Sequence, residues 1–321
     1  MATATSSPPS PPSLPRQRLR MLIINPNTST SMTESLAPLL DSLAYPSDSI
    51  QYTFFTSPNG TTATSTTGTP EAVNLEGIPS INSPADAAAS AKVCLPHLTP
   101  LIPHHDAFLI ACYSQHPLVS QLKAACAGTT RAATKGSSGS GARKYVTGIF
   151  EASVLACLAL LDNGDGGGNG NETFGIVSTG KIWETVLQDA VAAFLGAEAS
   201  RRFAGVETTG LNATDLHDLP ADQVRDKMMQ ATKRLLRRGT TAATSGSDPG
   251  TGGSGDSGRP RRSSPVKAVC LGCAGMAGLD DAVRQACVEE LGQELGKQVH
   301  IVDGVKAGVG ILVGLASAGF G

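Results

Sequence analysis

Val-Lys-Ala-Val-Cys-Leu-Gly-Cys-Ala-Gly-Met-Ala-Gly-Leu, residues 266–279, passes from an apolar run into a glycine-studded turn. The run at 266–271 reads as a buried strand, and Cys273 stands just past its end. An earlier stretch repeats the design. Ala-Phe-Leu-Ile-Ala-Cys-Tyr-Ser-Gln-His-Pro, residues 107–117, has an apolar strand at 107–111 followed by Cys112 and a polar turn. Each cysteine stands where a strand gives way to a turn, the edge at which open α/β sheets bind ligands. Two thiols, one from each half of a chain, can flank one small molecule from opposite sides. That arrangement suits removing a proton from one face of a carbon and returning one to the other.

Working outward, strands and helices alternate. Leu19–Asn25 reads as a first strand running into Asn-Pro-Asn-Thr-Ser-Thr, then a helix carrying Met32, Leu36, Leu39, Leu40 and Leu43. Pro38 weakens that helix, because an interior proline removes a hydrogen bond. Ile50–Thr56 reads as a second strand, the Thr/Gly-rich stretch 57–69 as a loop, and Pro84–Leu98 as a helix. In the second half, 144–149 leads into a helix through Leu161, and 173–177 reads as a strand ending in Ser178-Thr179-Gly180. Ile182, Trp183, Val186, Leu187, Ala190, Val191 and Phe194 then recur at helical spacing. Residues 221–238 form a helix with basic residues toward its end, which suits the helix dipole. A helix at 281–295, a strand at 298–302 and a helix to about 319 follow. This alternation predicts parallel sheets covered on both faces, arranged as two similar α/β domains across a cleft. Gly/Ser/Thr/Asn-rich stretches at about 162–171 and 239–265, and the leader 1–18, read as disordered.

The 321 residues are 40% apolar and 4% aromatic, so the core is built of Ala, Val, Leu and Ile. A net charge of −2 gives no footing for nucleic acid or an anionic membrane. No stretch has the apolar length of a membrane span. The leader lacks the apolar centre of a secretory signal. It is basic and Ser-rich like a transit peptide, yet its five prolines fit a disordered tail better. Seven cysteines without a secretory signal point to free thiols in a reducing, cytoplasmic compartment. The expected partner is a small-molecule substrate. A homo-oligomer is left open.

Each motif has a plain reading beside the chemical one. Cysteine after an apolar strand is often a small core residue, but Tyr113-Ser114-Gln115-His116-Pro117 is a polar turn. The start of a helix there can bind an anion and lower a thiol pKa. Around Cys273, Gly272, Gly275 and Gly278 allow a tight turn and close approach to a ligand. Cys270 and Cys273 also form C-x-x-C, which raises redox and zinc alternatives, although no second pair stands at zinc spacing. Cys94, Cys126, Cys157 and Cys287 read as buried or incidental. His116 has two readings, orienting a substrate or thiolate, or capping a helix. Glu151 likewise either lines the cleft or caps. Asn25, Asn27, Thr28 and Ser29 follow the first strand and should face the cleft. Ser178-Thr179-Gly180 is a strand-to-helix turn of the anion-holding kind. No nucleotide-binding loop or metal motif appears, so neither a cofactor nor a metal is indicated.

Ile-Ile-Asn-Pro-Asn-Thr-Ser, Ala-Cys-Tyr-Ser-Gln-His-Pro-Leu, Gly-Ile-Phe-Glu-Ala-Ser, Phe-Gly-Ile-Val-Ser-Thr-Gly and Leu-Gly-Cys-Ala-Gly-Met-Ala-Gly-Leu occur in that order. Together they resemble hydantoin and allantoin racemases of the aspartate/glutamate/hydantoin racemase superfamily, and the fungal branch linked with nitrogen catabolism above all. The resemblance runs over about 20–320. It implies two pseudo-symmetric flavodoxin-like domains, 19–140 with 297–321 and 141–296, with the chain's end packing on the first. It also implies a cofactor-independent pair of catalytic cysteines, mapping onto Cys112 and Cys273. Tyr113 and Ser114 on one side, and Ala274 and Gly275 on the other, would hold a planar intermediate; Thr179 and Gly180 match another substrate-contacting turn. The turn Tyr-Ser-Gln-His-Pro departs from that of many bacterial members.

The expected reaction is racemisation at the stereogenic carbon of allantoin or a 5-substituted hydantoin. One cysteine acts as thiolate base and the other as thiol acid. An amino-acid substrate fits less well. Two rivals share the scaffold: a decarboxylase or cis–trans isomerase, and a non-catalytic ligand sensor.

Overall fold

A computed structural model describes residues 18–64, 72–133, 143–162, 172–241 and 264–319. The expected leader and inserts therefore lie outside the described residues, apart from their margins. The first half comprises β1 (Leu19–Asn25), α1 (Thr30–Asp41), β2 (Ile50–Thr56), a hairpin of β3 (Gly60–Thr64) and β4 (Ala72–Glu76), α2 (Pro84–Leu98), β5 (Ala107–Ile110), α3 (Pro117–Ala133) and β6 (Tyr145–Gly148). Then come α4 (Ile149–Leu160), β7 (Thr173–Ser178), α5 (Ile182–Ala199), β8 (Phe203–Thr208), α6 (Asp215–Asp218) and α7 (Ala221–Thr241). The chain ends with β9 (Val266–Gly272), α8 (Asp280–Leu291), α9 (Gln293–Gln298), β10 (His300–Asp303) and α10 (Gly304–Ala318).

Both main sheets are wholly parallel. Their orders are β2-β1-β5-β6 and β8-β7-β9-β10, the same order in each half once the hairpin is set aside. The two-domain α/β architecture is thus as expected. Alternation along each strand sends residues to two different cores. Met21 and Ile23 of β1, with Phe174 and Ile176 of β7 and Cys270 of β9, join one cluster with α1, α4, α5 and α10. Leu22, Ile24, Phe108 and Ile110 face α2 and α3. Val177, Val269 and Leu271 face α7 and α8.

The two sheets divide the strands differently from the expected boundaries. β6, assigned to the second domain, is the edge of the first sheet, and β10, assigned to the first, is the edge of the second. Only the helices after these strands cross over. α4 packs on β9 and β10, and α10 packs on β5 and β6. The two helices start against each other, where a Cβ on Gly304 would come within 2.9 Å of the Ile149 carbonyl.

Three smaller expectations also change. Residues 60–64, read as loop, pair antiparallel with 72–76; threonine's branched Cβ favours extended backbone. The helix expected at 281–295 is two, broken at Gly292 with φ 83°. The following strand starts at His300 rather than 298. α1 runs through Pro38, which sits on the exposed face. No helix among the described residues is long and apolar enough to cross a membrane.

Candidate active site

In each sheet the strand order reverses between its two central strands, β1 and β5 in one and β7 and β9 in the other. Crevices form at such switch points, outside the carboxyl ends of the strands. Here the two crevices meet in one cavity with about 390 Å³ of empty space, solvent at its mouth included. Cys112 and Cys273 both line it.

The first half builds its share from three loops. Behind β1, Asn25 Nδ2 donates to the Ser29 carbonyl at 2.9 Å and to Thr33 Oγ1 at 3.0 Å. Asn27 Oδ1 accepts from the Ser29 N–H at 3.0 Å, and Ser29 Oγ caps α1. This fixes Asn27 and the first-turn Met32 on the wall. Ile81, beyond the hairpin, and Ala111, Cys112 and Tyr113 beyond β5 complete this side. The second half mirrors it. Thr179 follows β7, Trp183 stands on the first turn of α5, Ala213 follows β8, and Gly272, Cys273 and Ala274 end β9. Gly272 is required by crowding, since a Cβ there would come within 2.7 Å of the Val177 carbonyl.

Of the expected site residues, Asn27, Cys112, Tyr113, Thr179, Cys273 and Ala274 line the cavity and six others do not. Thr28 turns its methyl toward Gly77. Ser114 lies behind Cys112, its Oγ 3.6 Å from the sulfur. Gly275 donates its N–H to the Cys273 sulfur. Ser178 Oγ donates to the Gly272 carbonyl at 3.0 Å, joining the two central strands of its sheet. The Gly180 carbonyl accepts from the Trp183 N–H at 3.0 Å, closing the turn. His116 caps a helix: it stands just before α3, and its Nδ1 accepts from the Leu118 N–H at 3.3 Å. Its ring is 2% exposed, its Nε2 has no partner among the described residues, and burial pulls its pKa down to about 4, so it is neutral. Met32, Ile81, Trp183 and Ala213 went unread as site residues. Trp183 matched a core helix pattern, and it is only 4% exposed; the loop holding Ala213 follows β8, a strand the sequence reading lacked.

The thiol electrostatics also differ from expectation. The turn does not lower the Cys112 pKa. Burial pushes it up to about 12, against a hydrogen bond with Ser114, and the charges of Cys273 and Glu151 raise it further. Burial pushes Cys273 up to about 11, moderated by the Gly275 N–H. The charge of Cys273 acts on Cys112, and both side chains line the one cavity.

Residues 21–244 match the family model for Asp/Glu/Hydantoin racemase. The chain therefore belongs to the Asp/Glu/hydantoin racemase family, among racemases and related isomerases. An uncharacterized Schizosaccharomyces pombe protein is 31% identical over 206 residues, covering 64% of this chain and 67% of that protein. Protein DCG1 of Saccharomyces cerevisiae is 26% identical over 207 residues, 62% of this chain and 69% of its own. Among solved structures, an allantoin racemase from Klebsiella pneumoniae has TM-score 0.60 at 20% identity, covering 94% of this chain and 89% of that one. Allantoin racemase from Pseudomonas fluorescens has TM-score 0.59 at 19% identity, covering 94% and 92%. These two share the two-domain fold.

Proposed function

We propose that the protein is a cofactor-independent racemase acting on a neutral hydantoin-type ring, allantoin or a 5-substituted hydantoin, with Cys112 and Cys273 as its acid and base. The observation that carries this reading is the convergence of both cysteines on one cavity from the two switch points. The choice of ring over amino acid rests on the wall itself. The residues lining the cavity are apolar or uncharged, with Asn27 and Thr179 as polar side chains. A free amino acid would bring a carboxylate and an ammonium into a site with no charge to pair them, at a large desolvation cost. A ureide ring brings only N–H and C=O groups.

In this mechanism one cysteine, as thiolate, removes the proton from the stereogenic carbon. Electron density moves into the adjacent carbonyl, and the opposite cysteine, as thiol, protonates the other face. The two exchange protonation states in each turnover. Backbone N–H groups of Tyr113 and Ala274, next to the cysteines, are assigned to the developing oxyanion. The surrounding apolar wall, with Met32 and Trp183, excludes water and strengthens those bonds.

The test is polarimetry of pure (R)- and (S)-allantoin beside a panel of 5-substituted hydantoins, against the enzyme-free rate. Decay of optical rotation without change in mass is expected for at least one of them. Unchanged rotation throughout, or full activity in both Cys112→Ser and Cys273→Ser, rejects the reading.

A further inference from the structure

The Cys157 and Cys270 sulfurs lie 3.2 Å apart. Cys157 belongs to α4, the helix that leaves the first sheet, and Cys270 to β9, three residues before Cys273. C-x-x-C spacing pairs Cys270 with Cys273 and leaves Cys157 incidental. The fold instead sets Cys270 against Cys157, 113 positions away in sequence. None of the seven cysteines is in a disulfide. A disulfide has a sulfur separation of about 2.05 Å, so this pair needs to approach by only about 1 Å more.

The surroundings make the two sulfurs unequal. The hydroxyls of Tyr113 and Ser153, themselves 2.8 Å apart, are within hydrogen-bonding reach of Cys270. Burial alone would raise the Cys270 pKa, but hydrogen bonds from Cys157, Tyr113 and Ser153 pull it below its ordinary value. Cys157 is pushed up by its contact with Cys270 and by burial. A more acidic thiol beside a second thiol is the arrangement of an attacking and a resolving cysteine. Both are 0% exposed, which shields them from large reagents. Tyr113, however, lines the cavity and also acts on Cys270, so one residue links the cavity to the pair.

We propose that Cys157 and Cys270 are a redox site that closes reversibly to a disulfide, with a hydroperoxide as oxidant. The Cys270 sulfur attacks the peroxide; the O–O bond breaks, leaving a sulfenic acid on Cys270 and releasing an alcohol, or water from hydrogen peroxide. The Cys157 sulfur then attacks the sulfenic sulfur; the S–S bond forms and water leaves with the Cys157 proton. Two thiols are oxidised by two electrons in all, and one hydroperoxide is reduced. The closed bond ties α4 to the strand that presents Cys273.

The experiment exposes the full chain to hydrogen peroxide, alkylates remaining thiols after denaturation, and maps peptides by mass. Because Cys112 and Cys273 compete for peroxide, the Cys112→Ser/Cys273→Ser double variant is mapped in parallel; neither readout depends on racemase activity. The expected result in both proteins is a cross-linked Cys157–Cys270 peptide pair, lighter by two hydrogens and restored by dithiothreitol. Cys157→Ser should lose the cross-link and leave a dimedone-reactive Cys270. The proposal is overturned if Cys270 bridges to Cys273 instead, or if Cys157 and Cys270 remain alkylatable in the double variant.

Discussion

In the first half Cys112 opens a turn that runs into the long helix α3, and the groups that tune it are side chains: Ser114 at 3.6 Å and the charge of Glu151. In the second half Cys273 is followed by one turn of 3₁₀ helix, Ala274–Met276, and its tuning group is the backbone N–H of Gly275. The halves share a strand order, yet different neighbours act on two thiols that burial pushes up alike, to about 12 for Cys112 and about 11 for Cys273. A two-base racemase needs one thiolate and one thiol together. On that reading one of the two must ionise before turnover, and burial opposes it at both. A scaffold can therefore be symmetric in path and still surround its two thiols differently.

The largest effect should come from removing either sulfur. On the two-base reading, Cys112→Ser and Cys273→Ser each lower racemisation by about 10²–10⁴-fold or more. Each is expected to keep α-proton exchange in D₂O for one enantiomer only, opposite in the two variants, as read by NMR. Activity that falls in one variant alone would break the comparison. The pH profile comes next. Both thiols are raised, so the thiolate fraction climbs about tenfold per pH unit below the first ionisation. The expected kcat/KM rises from pH 7 to 10 and falls only once both sulfurs ionise; the pair titrates as a unit, so the limbs belong to neither residue alone. Glu151→Gln sharpens the picture on one side. It removes a charge that raises Cys112, which should move the alkaline limb down by about half a pH unit. Ser114→Ala should do least. Losing a long hydrogen bond worth about 0.5 kcal/mol raises Cys112 slightly and changes turnover at pH 7.5 by about twofold, measured beside unchanged far-UV circular dichroism.

Much of this was legible in residues 107–117 and 266–279, because an apolar strand ending in a cysteine turn is a local pattern. β1, β2 and α2 occupy the expected ranges, Leu19–Asn25, Ile50–Thr56 and Pro84–Leu98. β8 was not legible. Phe203–Thr208 contains Gly205 at φ 113°, and its Glu207 accepts from Arg234 and Arg238, each at 2.7 Å, so it carries none of the apolar alternation of a buried strand. The raised thiols were missed for another reason. A helix start lowers a thiol pKa locally, whereas burial depends on the whole cleft closing over it. Nor does periodicity say which sheet a strand joins, so it cannot place β6 in the first sheet or β10 in the second.

The crossing of α4 and α10 has a consequence for how the molecule can be taken apart. Each half lends the other a helix, so a fragment cut between β6 and β7 keeps its sheet but leaves one greasy face bare where its neighbour's helix belonged. Neither fragment should be soluble by itself, while the two co-expressed should find each other and restore the cleft. The same entanglement ties the halves through two helices rather than one linker.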